Sequence, residues 1–109
     1  MNPISITALA DDHLAIARTA SSGRSAHTLH GGQQHVLRQT LIALAGGRRL
    51  DEHENPGEAT LQVLRGRVRL EAGPSSCAAA AGDILVIPSS RHALEALEDA
   101  AVLLTVAKS

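Results

Sequence analysis

Two of the six histidines, His53 and His92, stand beside polar side chains and turn residues. An imidazole binds transition metals and exchanges protons near neutral pH. Asn55 and Glu58 follow His53 within five residues and carry oxygens that can hydrogen-bond or bind a cation. Such a set suits one of two chemistries. Either the histidines help to hold a metal ion, or two neutral imidazoles hydrogen-bond to a small acidic or carbonyl ligand.

A series of glycine, histidine and proline residues is regularly spaced between residues 47 and 92. The series consists of Gly47, His53, Gly66, Gly82, Pro88 and His92, and two further positions that matter below are Asn55 and Ala59. The spacings resemble the two motifs of the cupin family, G-x5-H-x-H-x3-E-x6-G and G-x5-P-x-G-x2-H. Residues 53–66 and 95–106 also resemble a subgroup of compact bacterial cupins with degenerate metal-binding motifs. The resemblance implies an all-β fold, an RmlC-like jelly-roll barrel (double-stranded β-helix), with a short N-terminal α-helix.

In metal-binding cupins, three histidines and one glutamate hold Fe, Mn, Ni, Cu or Zn inside the barrel. His53 matches a ligand position, and His92 stands one residue before another. Asn55 and Ala59 replace the second histidine and the glutamate. Glu58 could substitute from a turn but not from a strand, where neighbouring residues point to opposite faces. The resemblance thus implies two good ligands, so we expect no tightly held metal, with Fe, Mn, Ni or Zn as the alternative.

Composition excludes several classes of function. The chain has 109 residues, which fits one domain, and a net charge of -1, which gives no basic footprint for direct nucleic-acid binding. No apolar run approaches the roughly 18 residues that span a membrane. Phe, Tyr and Trp are absent, so no aromatic platform is available for a sugar or a base. Cys77 is the single cysteine and no secretory signal is visible, so we expect a cytoplasmic protein.

The chain divides into a helical segment at residues 1–23 and a barrel domain at residues 24–109. Leu9, His13, Ile16 and Ala20 recur at helical spacing, and Thr7 is a suitable N-cap, which predicts a short amphipathic helix packed on the barrel. Short strands separated by Gly and Pro turns fill the rest. They are predicted over residues 25–30, 35–44, 48–53, 59–65, 67–72, 77–81, 84–87, 92–97 and 101–107. The two strands flanking Gly66 are expected to form a hairpin.

The strand over residues 35–44 carries polar residues on both of its faces. Gln39 shares one face with Leu41 and Ala43, whereas Arg38 and Thr40 share the other with apolar neighbours. Alternation alone does not decide which face points into the barrel. We predict that Gln39, together with His53, Asn55 and His92, contacts a ligand.

Three functions fit these observations. The first is a protein that binds a small molecule in an aliphatic barrel pocket through His53 and His92, without a tightly held metal. The second is a metal-dependent dioxygenase or isomerase that uses His53, His92 and Glu58 as ligands. The third is a ligand-sensing module that acts through a partner protein. We favour the first, and we expect a homodimer, because exposed sheet edges need cover.

Overall fold

The computed structural model describes residues 1–53 and 57–108, with the backbone alone at residues 52 and 53. This part of the chain contains one helix, α1 (Ile6–Thr19), and nine strands. The strands are β1 (Arg24–His30), β2 (Leu37–Leu44), β3 (Arg49–His53), β4 (Gly57–Arg65), β5 (Arg67–Ala72), β6 (Ser75–Ala80), β7 (Ile84–Ile87), β8 (His92–Ala96) and β9 (Ala100–Lys108). Among the described residues, no helix is long and apolar enough to cross a membrane.

The strands form two antiparallel sheets. Sheet A has the order β1-β2-β9-β4-β7, and sheet B has the order β3-β8-β5-β6. Alternate residues of β4 and β5 are buried, which places one aliphatic face of each sheet against the other. The largest buried members of this core are Leu44, Leu61, Val63, Val68, Leu70, Ile87, Leu94, Val102 and Val106. The barrel therefore has an inner face built from leucine, valine and alanine.

One end of the barrel is closed by the loops between β2 and β3 and between β8 and β9. The Gly47 N–H donates to the Ala96 carbonyl at 2.8 Å, and the Gly46 N–H donates to Asp99 Oδ1 at 2.8 Å. Strands β3 and β9 start from this end and run away from it. The opposite end, which we call the mouth, is where β2 begins, β3 ends, β8 begins and β9 ends.

The strands flanking Gly66 do not form the predicted hairpin. Strand β4 belongs to sheet A and β5 to sheet B, so the chain crosses between the sheets at Gly66. Gly66 has φ +73°, a region that favours glycine, and a Cβ there would collide with the backbone carbonyl oxygen of Asp99. The predicted turn at Gly66 is present, but it carries the chain from one sheet to the other and does not pair the strands on either side of it.

Helix α1 packs on the outer face of sheet A, as predicted, but through different residues. Its N-cap is Ser5 and not Thr7, since the Ser5 hydroxyl accepts from the Ala8 N–H at 3.2 Å. The buried residues are Ala10, Leu14 and Ala17, whereas Ile16 is 50% exposed. Alanine at two of the three contact positions lets the helix axis lie close to the sheet. Helical periodicity instead favoured the face with the larger apolar residue Ile16.

Candidate functional site

The interior of the barrel holds an aliphatic pocket with one histidine. The space in it that a water-sized molecule can reach is about 40 Å³, within about 330 Å³ of space free of protein atoms that includes open solvent. Its lining comes from both sheets and consists of Ile42, Leu50, Leu61, Leu70, Ile87, His92, Leu94 and Leu104. His92 is the only polar residue in this lining and is 2% exposed. The pocket can therefore take an apolar molecule that offers one group capable of hydrogen bonding.

Strand β8 and the turn before it orient the His92 ring. Nδ1 lies 3.1 Å from the Ser90 carbonyl oxygen. A carbonyl can only accept, so Nδ1 carries the proton in this bond, and Nε2 of the neutral ring is then an acceptor. The sequence prediction that His92 belongs to the barrel site agrees with this position.

The backbone of His53 lies directly opposite His92. The two residues are register partners in the ladder between β3 and β8, beyond an irregularity that follows Leu50. The backbones of the two histidines that the motifs single out are thus neighbours at the mouth of the barrel. The side chain of His53 and the whole of Asn55 lie outside the described residues.

Position 59, which the cupin motif reserves for a glutamate, faces the interior. Ala59 is 4% exposed and pairs with Ile87 of β7 and Val106 of β9. Glu58 precedes it on strand β4 and is exposed, so the backbone turns its side chain to the outer face of sheet A. Glu58 occupies the strand, the case in which it is a poor replacement ligand, so its position does not support a part in a metal site.

The register of β2 decides which of its faces points into the barrel. Ile42 and Leu44 pack in the core between the sheets, whereas Leu41 and Ala43 pack under helix α1. Arg38 shares the inner face, and Gln39 lies on the outer one, where its Nε2 donates to Thr105 Oγ1 at 3.4 Å. Gln39 therefore faces away from the pocket, and this register does not support its predicted contact with a ligand there.

The other four histidines lie away from the pocket. His13 of the helix is within 2.6 Å of the Ser25 hydroxyl through Nδ1, and its ring centroid is 5.4 Å from that of His27. The His30 and His35 rings lie with their centroids 4.5 Å apart and tilted by 44° where β1 connects to β2. These residues tie the helix and a loop to the barrel rim, as expected for histidines without a ligand set.

The described side chains do not fit a four-ligand metal centre. Position 59 supplies a methyl group, Glu58 points outward, and His92 is the one imidazole on the described pocket wall. No group of three or more His, Cys, Asp or Glu in the described part of the chain could hold a metal ion.

A group of paired charged residues lies on the outer face of sheet B. Arg49 donates to both carboxylate oxygens of Glu71, at 3.0 and 2.9 Å, and Arg69 lies 3.4 Å from Glu95. The hydrogen bonds from Arg49 lower the pKa of Glu71. This face is an exposed array of ion pairs and does not contribute charge to the pocket lining.

Comparison with solved structures identifies the barrel. A cupin superfamily protein from Desulfitobacterium hafniense aligns with a TM-score of 0.80 and 16% identity, over 99% of this chain and 92% of that one. An RmlC-like cupin from Desulfovibrio desulfuricans aligns with a TM-score of 0.67 and 26% identity, over 77% and 81%. This chain has the fold of a small RmlC-like cupin. The predicted all-β barrel with a short N-terminal helix is confirmed.

A further similar structure is that of a protein of unknown function. A conserved protein of unknown function from Streptococcus pyogenes aligns with a TM-score of 0.75 and 28% identity, over 83% of this chain and 78% of that one. No family model and no curated protein matches the chain.

The sequence did not identify which aliphatic residues form the pocket wall, and it did not show whether Arg38 points into the barrel. The wall draws on seven different strands, so no local motif marks it. A signal for Arg38 did exist, because its alternation partners Ile42 and Leu44 are larger than Ala43 on the competing face. Side-chain size alone is weak evidence for the inward face of β2, because helix α1 covers and buries the other face as well.

Proposed function

We propose that this cupin binds a small, mainly aliphatic molecule in the barrel pocket, with His92 as its polar contact and without a tightly held metal. The observation that carries the proposal is the lining itself, seven aliphatic side chains around one buried histidine. Burial of apolar ligand surface supplies the affinity, and one hydrogen bond to the imidazole orients the ligand. The pairing of His53 with His92 supports a second imidazole contact at the mouth.

The test combines metal analysis with a ligand screen. Protein purified without chelator is examined by elemental mass spectrometry, and thermal unfolding is followed with a panel of small aliphatic alcohols, aldehydes and acids. We expect far less than one metal per chain, and stabilisation by some panel members that Ile42→Phe abolishes by filling the pocket. The matched control is Ile16→Phe, since Ile16 is 50% exposed on helix α1, away from the pocket. Stoichiometric metal that is lost in His53→Ala would refute the metal-free proposal and favour the metal-dependent alternative.

We also propose that the protein forms a homodimer through strand β7. This strand is an edge of sheet A, and its outward residues Ile84 and Val86 are 63% and 82% exposed. An edge with apolar side chains and free backbone groups favours pairing with a second copy. Light scattering should give a dimer mass for the native chain and a monomer mass for Val86→Lys, and a native monomer would refute the proposal.

A further inference from the structure

Arg38 places a partly buried cation on the inner face of sheet A. Its Nε is buried, and no hydrogen-bond acceptor lies within reach of it among the described residues. Arg38 also takes part in none of the ion pairs formed within the described part of the chain. Arginine does not lose its proton in proteins, so it keeps its charge there. A buried N–H of a cation without an acceptor is unfavourable, which points to a group that the ligand provides.

The position of Arg38 relative to the pocket follows from the strand register. Across sheet A, Arg38 pairs with Val106, Val106 with Ala59, and Ala59 with Ile87. Ile87 lines the pocket, so the pocket reaches the level of Arg38 along the barrel axis. Along its own strand, Arg38 lies four residues from the pocket residue Ile42, about 13 Å in extended chain, toward the mouth.

The mouth therefore carries a cation at one side and His92 at the other, above an aliphatic interior. The Arg38 side chain is held on the first side, because it packs beside Thr28 and Gly31, where a Cβ on the glycine would lie 3.5 Å from Arg38 Cγ. A planar guanidinium matches the two oxygens of a carboxylate, and one such group balances a single negative charge.

We propose that Arg38 binds the carboxylate of the ligand, so that the preferred ligand is an aliphatic monocarboxylic acid whose hydrocarbon part fills the pocket. The inference rests on the proposed function and names the chemical class of its ligand. Arg38 orients the acid at the mouth, and the apolar wall binds the chain.

The experiment compares hexanoate with 1-hexanol by isothermal titration calorimetry. The two probes share a hydrocarbon chain and differ in the charged group. For the native protein we expect hexanoate to bind at least tenfold more tightly, since a hydrogen bond to a charged group is worth that factor or more. Arg38→Gln should weaken hexanoate at least tenfold and leave 1-hexanol within about twofold, and Arg38→Lys should lie between. Arg67→Gln is the matched control, because Arg67 is exposed on the outer face of sheet B.

The outcomes separate the two proposals. Equal binding of both probes, unchanged in a folded Arg38→Gln, would refute the carboxylate contact and leave pocket binding intact. Failure of both probes to bind the native protein would refute the proposed function and this inference with it. Should Arg38→Gln unfold, as judged by circular dichroism, the native preference and the Arg38→Lys titration decide the question.

Discussion

Gly66→Ala should destabilise the barrel far more than the same change at another glycine with positive φ. Gly66 has φ +73°, where an alanine costs about 1–2 kcal/mol. Its new Cβ would also collide with the Asp99 carbonyl and lie 3.0 Å from Ala100 Cα, both backbone atoms that cannot rotate away. A forced backbone shift adds about 1–3 kcal/mol. The expected loss in free energy of unfolding is therefore about 2–5 kcal/mol, a large share of a small domain's stability.

The matched control is Gly73→Ala. Gly73 has φ +58°, but a Cβ there meets no atom within 4 Å, so only the backbone cost of about 1–2 kcal/mol applies. Urea unfolding followed by circular dichroism measures both variants, and with an m-value of about 1–3 kcal/mol/M the two midpoints should separate clearly. If the two variants lose the same stability within about 0.5 kcal/mol, the close approach at Gly66 does not govern the crossover and the reasoning fails.

Three further predictions follow from the helix, the closed end and strand β4. Hydrogen bonds from Arg18 and then from the Gly46 N–H lower the pKa of Asp99, so its stabilisation is present above the unfolded pKa and is lost as pH falls through the lower folded value. Asp99→Asn should therefore cost under about 1 kcal/mol at pH 7, because the pair is exposed, and the gap to the native protein should close below about pH 4 in urea titrations. Ala17→Leu should cost about 1–3 kcal/mol by thermal unfolding, because Ala17 is fully buried against sheet A, whereas Ala15→Leu on the exposed face should be neutral. Glu58→Ala should leave both metal content and ligand binding unchanged, since its side chain is outside the barrel, and a change in either would show that it reaches the site.

The strands were predictable because glycine and proline punctuate them, and their observed bounds differ from the predicted ones by a few residues. Their pairing was less predictable, since the turn at Gly66 specifies a sharp bend but not which sheet the next strand joins. The helix contact failed for a related reason. Ala10 and Ala17 carry little apolar surface, so periodicity favoured Ile16, although small residues allow the closest packing.

The site was predictable where a motif fixes a position and unpredictable where only alternation was available. The spacing from Gly82 and Pro88 identified His92, and the structure buries it in the pocket wall. For strand β2, alternation defines two faces but does not show which one points into the barrel. Gln39, the predicted contact, lies on the outer face. Only the tertiary packing of Leu41 and Ala43 under helix α1 shows that the other face, with Arg38, points inward.

The replacement at position 59 connects the fold to the proposed function. Ala59 keeps the inward orientation that the motif gives to a glutamate, and it packs among buried aliphatic residues of β7 and β9. A carboxylate at this point would require a cation or several hydrogen bonds, because a charge buried among aliphatic side chains is unfavourable. A methyl group instead continues the apolar wall from Ile87 to Val106. At position 59 the barrel thus presents an apolar surface where the cupin motif places a carboxylate, and the proposed hydrocarbon ligand requires such a surface.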